Sequence, residues 1–306
     1  MRENKKINFV MPANYNHAVG GFKIVYQYAN WLVDQGFDVS ISYSYSPSDS
    51  KSYSFLKRMV DSHIYKFSKR ETKVTWFSLK NEIKSYYNCI LSKDFPDADI
   101  VFATGAKTAS LVHKLPKEKG KKFYFIQNYE AEGFGNKKEF VQNTYNLGLT
   151  NVVISKELRQ KVLEAGAPDP KYLPNFYNHD EFFLENPIEN RKNIICLLNH
   201  TQETKRTKLG LEILREVKQT IPNLEVHLFG AYDPIEELED WIHFTKNATS
   251  KQLREEIYGS SKIYLLPSVL EGWVLTGMEA MASGALVVAS RIGGIVDYAN
   301  DAVSYT

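Results

Sequence analysis

Cysteine is nearly absent from this chain of 306 residues. Cys89 and Cys196 lie far apart and without metal-ligand spacing, which argues against a disulfide framework. Long apolar runs are missing as well. No window approaches the roughly 18 apolar residues that cross a bilayer. The short run Ile7–Met11 behind the charged start does not make the core of a signal peptide. There is no repeat of fixed period and no low-complexity tract. Nor does G-x-G-x-x-G occur, so a dinucleotide is not indicated. These absences leave a globular protein, expected in the cytoplasm.

What is present fits that class: 43% hydrophobic and 24% charged residues. The net charge of +2 hides an asymmetry. Residues 1–125 carry 20 Lys+Arg against 11 Asp+Glu, a balance of +9, and the rest carry 18 against 25, a balance of −7. A basic N-terminal half suits an anionic partner such as a membrane surface, a lipid diphosphate or a nucleic acid. Ordinary lysine-rich surface explains it equally well, because the basic residues are scattered rather than massed.

Strand-like and helix-like segments alternate almost throughout, which predicts parallel sheets flanked by helices. Ile7–Met11 reads as a first strand. A helix follows through KIVYQYANWLVDQG, with Ile24, Tyr28, Trp31 and Leu32 on one face and Gly36 as its stop. FDVSISY, VTWFSL, DADIVFATG, KKFYFIQ and NVVIS are further strand candidates, and residues 46–71 read as loop with a short helix. The segment 172–193, with its two prolines, its asparagines and Asp180, is the boundary candidate. Beyond it NIICLLN, LEVHLFG, WIHF, KIYLLP and ALVVAS supply a second strand set. The expectation is an α/β chain of two Rossmann-like domains, 1–178 and 179–306, facing a cleft.

In open parallel sheets ligands bind beyond the carboxyl ends of strands. Three such loops stand out. In NYNHAVGGFK, residues 14–23, paired glycines before a helix allow close approach of a ligand. In TQETKRTKLG, Lys205, Arg206 and Lys208 crowd a helix start, where cations oppose the helix dipole; this suggests an anion such as a diphosphate, and side chains that simply extend into water explain it equally well. The third, residues 265–294, carries Glu271–Gly272 in a loop and Glu279 eight residues on inside a helix. Carboxylates accept hydrogen bonds from vicinal hydroxyls, while a glycine at a helix start exposes backbone N–H groups to phosphate or sugar oxygens. A helix with two solvated glutamates is the plain alternative.

The stretch EGWVLTGMEAMASGALVVAS resembles the E-x7-E signature of the retaining glycosyltransferases of GT-B fold, the large family 4, also called group 1. The preceding Pro-Ser and the following Gly-Gly occur in order. GGFKIVYQYANWLVDQGFDV, VVISKEL and YLPNFYNHDEF resemble the family's glycine loop, serine-bearing strand end and interdomain segment. FIQNYEAEGFG is similar to rhamnosyltransferase-like bacterial enzymes. The resemblance implies that Glu279 holds the ribose and Glu271 contacts the donor sugar near its anomeric centre. The backbone of Gly272, Trp273 and Val274 would lie alongside. Arg206, with Lys205 or Lys208, would bind the diphosphate, and Gly20 and Gly21 would line the cleft from the other domain. It implies retention and no metal, with a UDP-, dTDP- or GDP-linked sugar as donor.

The chain departs from the family pattern in three places. Asn199–His200 stands where the family often has Gly-Arg. Gln127–Asn128–Tyr129–Glu130 stands where many members have His-Asp, so Asn128, Glu130 and His17 are candidate acceptor-side residues. Members also usually continue through several more helices beyond the equivalent of Thr306. Asp97-Ala98-Asp99 could suggest a metal-binding pair, but its place before IVFATG reads as the polar entry to a strand. The expected activity is sugar transfer to a glycan or lipid-linked acceptor in bacterial surface polysaccharide synthesis. No nucleic-acid partner is expected. Lys57, Arg58, Lys66, Lys69 and Arg70 would place the protein on the inner membrane face. The alternatives are a non-catalytic scaffold, or a sugar-nucleotide epimerase using His17, His179 or His200.

Overall fold

A computed structural model describes residues 4–14, 18–44, 74–131 and 138–299, together with the backbone of 304–305. His17, residues 46–71 and the basic residues singled out within them lie outside the described residues. The chain divides into two compact units. The first comprises Met1–Ile154 and Leu158–Leu173, and the second Ser155–Glu157 and Pro174–Thr306.

In the first unit the strands are β1 (Lys6–Met11), β2 (Asp38–Ser44), β3 (Lys84–Cys89), β4 (Ile100–Ala103), β5 (Lys121–Ile126), β6 (Thr150–Val153) and β7 (Lys171–Tyr172). They form a parallel sheet in the order β3-β2-β1-β4-β5-β6-β7. The first strand is buried from Ile7 to Met11, as a parallel strand covered on both faces should be. Helix α1 (Gly20–Asp34) buries Phe22, Ile24, Val25, Tyr26 and Ala29. The expected apolar face therefore needs correction: Trp31 is 55% exposed. Tyr26 sets the face instead, its hydroxyl 2.8 Å from that of Tyr43 on β2.

VTWFSL is not a strand. Its aromatic residues are used for packing, with Trp76 and Phe77 against Tyr26 at 5.5 and 5.4 Å. Its end is held outside any ladder: Asn30 of α1 donates to the Ser78 carbonyl at 2.9 Å and accepts from the N–H of Lys80, just beyond the segment, at 3.0 Å. The edge strand β3 comes next, over KSYYNC, whose mixed composition carries no strand signal. Helices α2 (Ala106–His113), α3 (Lys138–Tyr145) and α4 (Lys156–Glu164) follow β4, β5 and β6. Asp99 accepts the Lys6 backbone N–H at 2.7 Å and Asp97 pairs with Lys119 at 2.7 Å, so each carboxylate has its own structural partner.

The second unit has β8 (Ile194–Leu198), β9 (Glu225–Gly230), β10 (Ile242–Lys246), β11 (Ile263–Leu266), β12 (Leu286–Ala289) and β13 (Ser304–Tyr305). All pair in parallel, in the order β10-β9-β8-β11-β12-β13. Its helices are α5 (Thr207–Thr220), α6 (Ser250–Gln252, continuing as a π-helical turn over Leu253–Tyr258), α7 (Leu275–Ala282) and α8 (Ile295–Tyr298). Alternation along β8 sends Cys196 into one core, with Tyr258, Tyr264 and Val287, and Leu197 into the other, with Leu211, Leu214 and Leu228.

Arg191 is 5% exposed and has no carboxylate among its hydrogen-bond partners in the described residues. Its guanidinium donates instead to the carbonyls of Asn186, Tyr258, Ser261 and Ser283. One side chain thus fastens the entry to β8 to the ends of the π-turn and of α7.

Candidate functional site

Strand β8 is hydrogen-bonded to both β9 and β11, so the connection order reverses there. The loops leaving the carboxyl ends of β8 and β11 must diverge around that point, which is where ligands bind in open α/β sheets. These are the two loops, 199–206 and 267–274, that the sequence marked.

The structure brings them together. The Lys205 ammonium lies 2.7 and 2.8 Å from the two Glu271 oxygens. The side chains are 20% and 10% exposed, so the pair is largely withdrawn from solvent screening. The Val269 N–H donates to the Thr204 carbonyl at 2.9 Å, tying the two loops through the backbone as well. Arg206 and Lys208 are exposed at the start of α5. Glu279 is 5% exposed on α7. Tyr298 feels both glutamates: burial raises its hydroxyl above the usual range, and the charges of Glu271 and then Glu279 add to the effect. That hydroxyl donates to the Val274 carbonyl at 3.0 Å.

The helix entries on both sides of the pair are strained. Arg206 at the start of α5 has φ 52° and Val274 at the start of α7 has φ 68°. A β-branched residue in the left-handed region is costly, and such strain clusters where function requires a fixed backbone. The Gly293–Gly294 turn supports the Glu271 loop from below. A Cβ on Gly293 would lie 2.2 Å from the Glu271 carbonyl oxygen, and one on Gly294 would lie 2.3 Å from the Trp273 ring. No other residue fits these two positions. Trp273 itself is 4% exposed and packs at a tilt against Tyr298, ring centroids 5.4 Å apart, so its side chain belongs to the core and only its backbone remains for a ligand.

Sequence reasoning missed Thr207, whose hydroxyl donates to the Leu198 carbonyl and accepts the His200 N–H, each at 3.0 Å. It also missed Asn199, fully buried, whose amide donates to the Tyr232 and Asp233 carbonyls at 2.9 and 3.0 Å. For Asn199 the available signal was a polar residue directly after a buried strand; Thr207, the first residue of α5, carried no such signal.

In the first unit Gly20 and Gly21 open α1 without a side-chain cap. Asn128 is exposed and accepts the Tyr129 N–H at 2.9 Å. Glu130 is tied down: both oxygens lie 3.1 Å from the Ala106 N–H at the start of α2. Burial pushes its carboxyl up to about 7, against the lowering effects of that hydrogen bond and of Lys107. A raised carboxyl favours the protonated folded state, so ionisation costs stability progressively as pH rises from the unfolded value, near 4.5, to about 7. Glu130→Gln is expected to remove that loss. Urea midpoints at pH 5 and pH 8 should differ by less in the variant than in the parent protein. An unchanged difference would mean that Glu130 is ionised without penalty.

Residues 178–305, less than half of the chain, match the model of the family Glycosyl transferases group 1. Sulfoquinovosyl transferase SQD2 of Arabidopsis thaliana is 34% identical over 93 residues. That stretch covers 29% of this chain and 18% of the relative, so less than a fifth of the relative's length is matched. Among solved structures, sucrose-phosphate synthase from Thermosynechococcus elongatus superposes with a TM-score of 0.67 at 15% identity, covering 95% of this chain and 82% of that one. A variant of TarM from S. aureus, in complex with fondaparinux, α-GlcNAc-glycerol and UDP, gives 0.67 at 13% identity over 98% and 89% of the two chains. The pneumococcal O-GlcNAc transferase GtfA, in complex with UDP and GlcNAc, gives 0.62 at 11% identity over 98% and 87%. At such identities the likeness is one of fold. The chain has the Rossmann-like GT-B fold, and the match to the group 1 glycosyltransferase model falls on its C-terminal unit.

Proposed function

We propose that this chain transfers a hexosyl group from a nucleoside-diphosphate sugar to a glycan or lipid-linked acceptor, with retention and without a metal ion. The observation that carries the reading is the Lys205–Glu271 pair, at 2.7 and 2.8 Å, formed by the loops after β8 and β11 within the family-matched region. Glu279, nearly buried on α7, is assigned to the ribose hydroxyls. Glu271 is assigned to the donor sugar near its anomeric carbon, with Lys205 orienting its carboxylate. The backbone N–H groups of Gly272, Trp273 and Val274 lie at the α7 start, where the helix dipole favours phosphate oxygens.

Arg206 and Lys208, exposed at the start of α5, are assigned to the diphosphate. Positive groups placed where negative charge develops on the leaving group stabilise the transition state, which is the work a metal does elsewhere. Gly20 and Gly21 are assigned to donor contact, and Asn128, Glu130 and His17 to the acceptor side. The UDP of the TarM and GtfA complexes makes UDP the first donor nucleotide to try. Synthesis of a bacterial surface polysaccharide, at an anionic membrane face, is the setting proposed.

The test is binding of UDP, dTDP and GDP in the presence of EDTA. One nucleotide should bind saturably, and Glu279→Ala should weaken it by at least about tenfold, the loss of one hydrogen bond to a charged group. Equal binding by the variant would remove Glu279 from the donor site.

A further inference from the structure

The loop after β8 carries two groups that its own contacts hold in place: Lys205, with its ammonium on Glu271, and His200, with one ring nitrogen accepting the Gln202 N–H. We propose that His200 contributes a diphosphate contact, as a neutral imidazole whose Nε2–H donates to a phosphate oxygen of the nucleoside diphosphate. The proposal rests on the nucleotide-sugar reading above and assigns a residue to that site.

The geometry fixes both the position and the tautomer of the ring. His200 is the second residue after β8, on the loop that carries Lys205. Its backbone N–H is held by the Thr207 hydroxyl at 3.0 Å, and the same hydroxyl reaches its carbonyl at 3.3 Å. Nδ1 accepts the Gln202 N–H at 3.0 Å. A ring nitrogen that accepts from a backbone donor carries no proton, so in the neutral ring the proton sits on Nε2. Burial first, and the neighbouring Lys205 charge second, lower the His200 pKa and favour that neutral form.

The ring is also steered from its other side. Tyr232, 38% exposed, packs edge-on against it with ring centroids 5.1 Å apart. Asn199 fixes Tyr232 in turn by donating to the carbonyls of Tyr232 and Asp233. Nε2 has no hydrogen-bond partner among the described residues, and the ring is only half-buried, which leaves that nitrogen available to a ligand. A half-buried imidazole with one nitrogen pinned and the other available is a preorganised single donor. Unlike an arginine, it would not compete with Lys205 for Glu271.

The experiment compares, for whichever of UDP, dTDP and GDP the protein binds, the diphosphate with its own monophosphate. His200→Ala is expected to weaken the diphosphate by about tenfold or more and the monophosphate by much less, the loss of one hydrogen bond to a charged acceptor. His200→Gln, whose amide nitrogen can stand in for Nε2, should restore most of the loss. Thermal melting of each variant shows whether it is folded. If the parent protein binds diphosphate and Glu279→Ala abolishes that binding while His200→Ala keeps the diphosphate preference, the His200 assignment is wrong and the nucleotide-sugar reading stands. If His200→Gln is as weak as His200→Ala in a folded protein, the donor role is also wrong. Absence of nucleotide binding by the parent protein overturns both.

Discussion

Glu271→Ala is expected to lower the rate of acceptor-dependent sugar transfer by on the order of 10² to 10³, while leaving nucleoside-diphosphate affinity within a few-fold of the parent protein. The asymmetry follows from the assigned positions. In the proposed assignment nucleotide affinity depends on Glu279 and the helix starts, whereas Glu271 would meet the part of the donor that changes charge during transfer. Removing the carboxylate also leaves Lys205 without the partner that holds it at 2.7 Å. Groups that act as a unit are not additive. Lys205→Met combined with Glu271→Ala should therefore cost little more than the worse single variant. Rates from single-turnover assays, set beside titrations with the free nucleotide, decide the point. A Glu271→Ala protein that loses nucleotide binding and rate together would mean that this residue builds the site and takes no part in transfer.

The largest effect on stability is expected at Arg191. Its replacement by methionine keeps much of the apolar volume of the side chain but strands the carbonyls of Asn186, Tyr258, Ser261 and Ser283, all within hydrogen-bond distance of the guanidinium in the parent protein. A buried acceptor left unsatisfied costs about 1–3 kcal/mol, partly relieved by local rearrangement. A total of about 3–5 kcal/mol is expected, comparable to breaking a buried ion pair. Because Ser283 ends the turn after α7, the helix that carries Glu279, the folded fraction should also bind nucleotide more weakly. Urea denaturation measures the first effect. A loss below about 1 kcal/mol would mean that water replaces the guanidinium, and that the site is not maintained from this end.

Much of the scaffold was legible because parallel strands buried on both faces write themselves as short apolar runs. Ile194–Leu198, Ile263–Leu266 and Leu286–Ala289 were found for that reason, whereas the edge strands Lys84–Cys89, Lys171–Tyr172 and Ser304–Tyr305 were not. The two loops of the candidate site were legible for another: charges at a helix start and a Glu-Gly before a helix violate local preference, and such violations need a cause. What stayed hidden depends on tertiary partners. VTWFSL has strand composition but spends it on Tyr26, while Asn30 holds its end. Trp31 fits a helical stripe by spacing and lies on the wet side of it. Arg191 sits in a polar connecting segment, and nothing local announces that its guanidinium is buried among carbonyls. His200 reads as a loop histidine until Gln202, Thr207 and Tyr232 are seen to fix its ring.

The central claim is sugar transfer at the Lys205–Glu271 pair, and the most direct measurement is release of free nucleoside diphosphate from UDP-, dTDP- and GDP-sugars, with and without a glycan or lipid-linked acceptor, in EDTA. The account predicts release from one donor class that depends on acceptor, survives chelation and is lost in Glu271→Ala. Donor altered without acceptor, or no turnover by a protein that binds the nucleotide well, would contradict it.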